Sequence, residues 1–139
     1  MRVMDVMHAG AATVDAETLL GEVARQMRDA DVGAVPVLSQ GRLVGMITDR
    51  DITCRAVAGS ADPRRMKAGE AMSRKAIVCS PEDDLDDAME MMSQQQIRRL
   101  PVVDAEHQLV GMLSLGDISH RVDEEDAGEV LRAVSAHHV

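Results

Sequence analysis

Two short stretches, Thr48-Asp49-Arg50-Asp51 and Ser114-Leu115-Gly116-Asp117, each set a hydroxyl three residues ahead of an aspartate. An ionised carboxylate accepts several hydrogen bonds, enough for both hydroxyls of a ribose cis-diol, and a Thr or Ser hydroxyl beside free backbone N–H groups holds a phosphate oxygen. The same spacing is that of a helix capping box, in which hydroxyl and acid close the first helical turn. A capping box ordinarily ends in Glu or Gln, whereas both copies here end in the shorter Asp. Arginines stand near both: Arg50 inside the first stretch, and Arg98 and Arg99 upstream of the second. Each could assist an anion or be a solvated surface charge. Ahead of each stretch lies an apolar run broken by proline, Val35-Pro36-Val37 and Leu100-Pro101-Val102. Proline has no N–H, so it interrupts the donor pattern and leaves flanking backbone groups able to read a base edge. The chain has no Phe, Tyr or Trp, so a base would sit between aliphatic walls rather than stack on a ring.

Other chemistries lack their signatures. No phosphate-loop lysine, nucleophile elbow or H-E-x-x-H is present, and no cysteine pairs with an evident base, so no catalytic residue and no metal ligand is expected. Cys54 and Cys79 read as a reduced, structural pair in apolar surroundings, with a disulfide between them not decidable from spacing. The His137-His138 pair reads as a solvated tail. A formal net charge of −9 repels phosphate backbones and anionic lipid alike, which excludes nucleic acid and membrane surfaces as partners. No stretch is apolar enough for a signal peptide or a membrane span, so the expected setting is cytoplasmic.

The elements that must position these residues occur twice. A shift of 65 places superposes Met7 on Met72, Leu20 on Leu85, Met27 on Met92 and Pro36-Val37 on Pro101-Val102. With one residue added, Leu43-Val44-Gly45-Met46 falls on Leu109-Val110-Gly111-Met112 and Asp51-Ile52 on Asp117-Ile118. Gly45 and Gly111 give room for another group to approach the strand. Each copy reads as a short strand (12–14; 77–79), a helix, a strand pair (34–38 and 43–47; 100–103 and 109–113) and a second helix (49–58; 118–122). The first helices start at Asp15-Ala16-Glu17 and at Ser80-Pro81, where Ser is the N-cap and Pro the first helical residue. Their apolar faces are Leu20, Val23, Ala24 and Met27, then Leu85, Ala88, Met89 and Met92. Gly59 is the expected stop of the 49–58 helix. One such copy buries too little surface to be secure alone. The fold class is therefore α+β: two β-α-β-β-α units packed through their sheets with pseudo-two-fold symmetry. The divisions are 1–60, a linker at 61–69, 70–122, and an acidic C-terminal segment at 123–139 with a short helix carrying Ala127, Val130, Leu131 and Val134 on one side. Eleven methionines replace the missing aromatics as core filling.

The doubled apolar-Pro-apolar strand and the doubled G-h-x-[T/S]-x-x-D ending together resemble the cystathionine-β-synthase (CBS) domain pair, or Bateman module, over residues 1 to 122. The T-D-R-D-I wording and the single pair are most similar to stand-alone bacterial members, the hypoxic-response type among them. The resemblance implies a regulatory module, not an enzyme, that needs no cofactor and binds AMP, ADP, ATP or S-adenosylmethionine in clefts between the halves, commonly as a homodimer. It also implies that Asp51 and Asp117 take ribose hydroxyls, that Thr48 and Ser114 take phosphate or sugar oxygens, and that residues 35–37 and 100–102 line the base. Arg50, Arg98 and Arg99 are the candidate cations, and their different placement predicts unequal sites. With no output domain in the chain, signalling would pass through an unidentified effector protein or through the dimer state. On this reading Asp51→Ala or Asp117→Ala weakens binding and barely touches folding. The alternative is a structural or interaction dimer without ligand, its T/S-x-x-D motifs being helix caps only.

Overall fold

The computed structural model describes residues 1–74 and 76–136, so the His137-His138 pair lies outside the described residues. After a 3-10 turn at Val3–Asp5, the elements are β1 (Val14–Asp15), α1 (Leu20–Ala30), β2 (Ala34–Ser39), β3 (Arg42–Thr48) and α2 (Asp49–Asp51), which runs on as a π-helical stretch, Ile52–Val57. Then follow α3 (Ala68–Ala71), α4 (Leu85–Gln95), β4 (Arg99–Val103), β5 (Leu109–Ser114), α5 (Leu115–Ser119) and α6 (Glu124–Ser135). The class is mixed α/β and the repeat is plain. β1 runs parallel to β2, which is antiparallel to β3. In the second copy β4 is antiparallel to β5, and Cys79 makes a single parallel bridge to Val102 where β1 would stand. Both hairpins carry a register shift at the same place, Val37/Leu38 and Val102/Val103.

The compact units do not follow the repeat boundaries, and one of them is discontinuous in sequence. One comprises Met1–Ala11 with Ile77–Val139, the other Ala12–Ala76. The head of each repeat thus packs on the body of the other. In the first unit Val3 N donates to Asp83 O at 2.9 Å, Met4 N to Pro81 O at 3.0 Å and Leu85 N to Met1 O at 2.9 Å. In the second, Ala68 N donates to Thr18 O at 2.7 Å, Gly69 N to Ala16 O at 2.9 Å and Leu20 N to Met66 O at 2.9 Å, the same three bonds at repeat-equivalent positions.

Those bonds explain where the helices start. The Ser80-Pro81 signal does not open α4, which begins at Leu85 with Asp84 as its N-cap, accepting from Asp86 N at 3.1 Å. The first helix likewise begins at Leu20, not at Asp15. A helix needs its first carbonyls for intrahelical donors four residues on, and those of residues 81 and 83, like those of 16 and 18, are taken by the incoming head. Ser80 instead closes a turn, its N–H donating to Asp83 Oδ2 at 2.9 Å.

The repeat-equivalent helices α1 and α4 each end on a left-handed residue, Asp31 (φ 55°) and Gln96 (φ 55°). A glutamine pays for that conformation more than aspartate does, since only short polar side chains visit it routinely. Gln96→Gly is expected to raise stability by about 0.5–1 kcal/mol, seen as a higher thermal midpoint, with Asp31→Gly gaining less. The 49–58 helix stops differently from expectation: Ser60 (φ 61°), not Gly59, takes the left-handed turn.

Each unit has its own apolar core. Leu20, Val23 and Met27 of α1 meet Val35, Val37 and Ile47 in one; Leu85, Ala88 and Met92 of α4 meet Leu100, Val102 and Leu113 in the other. Full burial of each such Val, Leu, Ile or Met side chain is worth about 1.5–3 kcal/mol. Ala24 is exposed although expected on the buried face, whereas its counterpart Met89 is covered because α6 lies along α4. On α6, Val130 and Val134 enter the core while Leu131 remains half exposed. None of the helices is long and apolar enough to cross a membrane among the described residues.

The cysteines differ: Cys79 is buried and Cys54 exposed, so the apolar surroundings expected for both hold for Cys79 alone, and both are free thiols. Burial pushes the Cys79 thiol up to about 12, with nearby Asp83 adding to the shift. Its thiolate is favoured in the unfolded chain, so its contribution to stability is complete below about pH 9 and is lost as pH rises towards 12. At pH 8 a disulfide reagent should titrate one thiol in the folded chain and two after denaturation.

Candidate functional site

Both hydroxyl-to-aspartate stretches sit where a strand passes into a helix, β3 into α2 and β5 into α5. Each forms a complete capping box. Thr48 N donates to Asp51 Oδ2 at 2.9 Å and Asp51 N to Thr48 Oγ1 at 3.1 Å. Ser114 N donates to Asp117 Oδ2 at 3.1 Å and Asp117 N to Ser114 Oγ at 3.1 Å. The short Asp side chain therefore does close the box, a bond pattern whose loss is expected to cost stability where the ligand reading of the sequence expects folding barely touched. The box uses one oxygen of each carboxylate. Among the described residues no hydrogen bond to either Oδ1 is found; Asp51 Oδ1 has Arg55 Nη1 at 3.7 Å. Both aspartates are partly exposed.

Register sets what stands opposite. Ala34 pairs with Thr48 and Pro36 with Met46; Arg99 pairs with Ser114 and Pro101 with Met112. Residues directly opposite share a face, while the alternate positions, Val35, Val37, Leu100 and Val102, are fully buried in the cores. The apolar side chains expected beside a base are thus committed to packing. On the face of the box each strand sets its proline, itself buried, and what it presents there is Ala34, half-buried, or Arg99, exposed.

The prolines also end a ladder. Cys79 N donates to Pro101 O at 3.1 Å and Val103 N to Cys79 O at 2.9 Å. A strand residue's N and C=O point to the same side, so the next rung of this parallel pairing would need the N–H that Pro101 lacks. The Pro101 carbonyl is occupied by Cys79, and the edge before it carries no strand. β1 likewise meets only Val37 and Leu38 of β2.

The candidate cations fall unevenly. Arg50 lies on the exposed outer side of α2. Arg98 and Arg99 flank the second box directly: the Arg98 carbonyl accepts from Leu115 N at 3.1 Å, its guanidinium donates to Ser135 Oγ at 3.3 Å, and Arg99 is exposed. In the first copy Gly33 and Ala34 hold those places, and the Gly33 carbonyl accepts from Asp49 N at 2.9 Å.

Sequence reasoning missed a second pair of arginines. Arg55 donates to Ala71 O at 2.8 Å and Met72 O at 3.0 Å, and Arg121 to Asp5 O at 2.7 Å. Each ties the helix after its box to the docked head segment. The signal was available, because the offset that places Asp51 on Asp117 also places Arg55 on Arg121. The glycines before the boxes serve the same docking. Met46 and Ser73 exchange bonds of 3.0 and 2.8 Å, as do His8 and Met112 at 2.8 and 2.9 Å. A Cβ on Gly45 would lie 2.4 Å from Ser73 O, and one on Gly111 3.0 Å from His8 O. What approaches the strand so closely is the chain's own head.

A family model for the CBS domain matches residues 3–56 and again 68–124. The chain belongs to the CBS domain family. It is similar along nearly its whole length to the CBS domain-containing protein YhcV of Bacillus subtilis, 41% identical over 134 residues that span 96% of this chain and 94% of the relative. Among solved structures it resembles Hypoxic Response Protein I, determined with two coordinated zinc ions, at a TM-score of 0.80 and 33% identity over 88% of this chain and 100% of that one. It also resembles the CBS domain pair of protein MJ0100, solved with 5′-methylthioadenosine and S-adenosyl-L-methionine, at a TM-score of 0.74 and 27% identity over 86% of this chain and 94% of that one. Among the described residues of the present CBS pair, no group of three or more His, Cys, Asp or Glu is placed to hold a metal ion.

Proposed function

We propose that this CBS pair is a regulatory, non-catalytic module that senses adenosine compounds (AMP, ADP, ATP or S-adenosylmethionine), with Asp51 and Asp117 each gripping a ribose. The observation that carries the reading is the doubled box, in which capping uses Oδ2 and leaves Oδ1 of each aspartate to accept from a sugar. Thr48 and Ser114 each keep a hydroxyl hydrogen to donate to a sugar or phosphate oxygen. The base would lie along the strand edge that Pro36 or Pro101 leaves unpaired, beside Ala34 or Arg99, the prolines themselves being buried. The ligands of the MJ0100 pair, both adenosine compounds, support this class.

Such a module signals through an effector protein or its own homodimer, in the cytoplasm where these ligands circulate. A ligand shifts that equilibrium only by binding the two arrangements unequally. Calorimetric titration of the intact chain with AMP, ATP and S-adenosylmethionine tests the proposal. Saturable heat with at least one of them is expected, and none with any would overturn it. The second reading, helix caps without a ligand, is favoured by the boxes being fully closed in both directions. It expects no heat from any of the three.

A further inference from the structure

The two boxes are alike in geometry and unequal in charge. Around the first, Arg50 and Arg55 are matched by Asp49 and Asp51, and the facing positions are Gly33 and Ala34, which carry no charge. Around the second, the box residues between Ser114 and Asp117 are Leu115 and Gly116, and the facing positions are Arg98 and Arg99, which sets two arginines against one aspartate.

This difference is built into the sheet. Arg99 is the register partner of Ser114, as Ala34 is of Thr48, so its side chain leaves the sheet on the face of the box. The alternate residue, Leu100, is wholly buried, which fixes that orientation. Among the described residues Arg99 forms no ion pair with an acid, whereas Arg55 near the first box is already held by Asp51 and two carbonyls. At the first box the Asp49 carboxylate lies against Gly33, within 3.1 Å of where a Cβ there would be. That end presents a negative group where the second presents Arg98 and Arg99.

Resting on the adenosine reading above, we propose that the two sites divide adenosine compounds by the charge of the 5′ substituent. The box at Ser114–Asp117 takes phosphorylated adenosine, its phosphate met by Arg99 and Arg98. The box at Thr48–Asp51 takes adenosine whose 5′ group is uncharged or cationic, a thioether or a sulfonium. A guanidinium–phosphate contact is charge-assisted and directional, so its loss is felt by a phosphate and not by a thioether.

The test is titration of the full chain and of Arg98→Gln/Arg99→Gln with AMP and with 5′-methylthioadenosine, each at low and high salt. AMP affinity is expected to fall about 10- to 100-fold in the variant, and to weaken with salt in the unsubstituted chain. Affinity for 5′-methylthioadenosine should change by less than about twofold in both comparisons. A reciprocal variant, Ala34→Arg, places a guanidinium opposite Thr48 and should add an AMP-binding event at the first box. Arg98 and Arg99 are exposed and Ala34 is half-buried, and a thermal melt verifies that each variant is folded. Unchanged AMP affinity in Arg98→Gln/Arg99→Gln, or no gain in Ala34→Arg, would overturn the charge division while leaving adenosine binding intact. Failure of the unsubstituted chain to bind either compound would overturn the division, whereas the ligand reading itself would fall only if ATP and S-adenosylmethionine also gave no heat.

Discussion

Gly45→Ala is expected to lower folding stability by about 2–3 kcal/mol, and Gly111→Ala by about 1–2 kcal/mol, both read from denaturant or thermal unfolding. The new methyl at residue 45 would stand 2.4 Å from the Ser73 carbonyl oxygen and 2.7 Å from Met72 Sδ. A methionine sulfur swings aside at little cost. The carbonyl does not, because Ser73 is fixed by two backbone bonds to Met46. To admit the methyl, the strand must move off the head segment and stretch those bonds. At residue 111 the corresponding contacts are 2.9 Å to Met7 Sδ and 3.0 Å to His8 O, tight enough to strain and loose enough to relax by a few tenths of an ångström. The order of the two losses is therefore the diagnostic part. Equal losses, or a larger one at Gly111, would show that the backbone carbonyl does not limit the site.

That contact also marks the boundary of what could be read without coordinates. The repeat, the hairpins and, Ala24 apart, the apolar faces were legible because they depend on period and on neighbours a few residues away. Val35 and Val37, or Leu100 and Val102, alternate with a proline, and their core-facing role follows from strand geometry once the partner strand is known. The docking of 1–8 onto the second body and 66–73 onto the first was not legible, since it joins residues such as Met4 and Pro81 that carry no complementary mark in sequence. Its consequences were missed with it: the helix starts delayed to Leu20 and Leu85, and the work of Arg55 and Arg121. The boxes themselves were fully legible as hydroxyl-x-x-acid. Their spacing did not show that one oxygen of each acid closes the cap and the other is left over. Cap and ligand grip are compatible roles of one side chain.

Because the roles are compatible, substituting the aspartates separates them. Asp51→Ala or Asp117→Ala should weaken adenosine binding at its own site by about 1.5–3 kcal/mol, the worth of a hydrogen bond to a charged group. Either should also cost about 0.5–2 kcal/mol of stability through loss of the cap. The stability loss should be the larger for Asp51, whose side chain is only 17% exposed and lies 3.7 Å from Arg55, whereas no ion pair is found for Asp117 among the described residues. Asn in place of Asp keeps an amide oxygen for the Thr48 or Ser114 N–H and removes the charge. Asp51→Asn and Asp117→Asn should therefore fold with nearly full stability and still bind poorly. Calorimetry and unfolding on the same preparations decide between the roles. If the Asn variants bound adenosine compounds as the parent does while the Ala variants lost stability, the carboxylates would be caps and nothing else. The paired measurement is needed because a drop in binding by the Ala variants alone follows equally from a frayed α2 or α5 that no longer holds Thr48 or Ser114 in place.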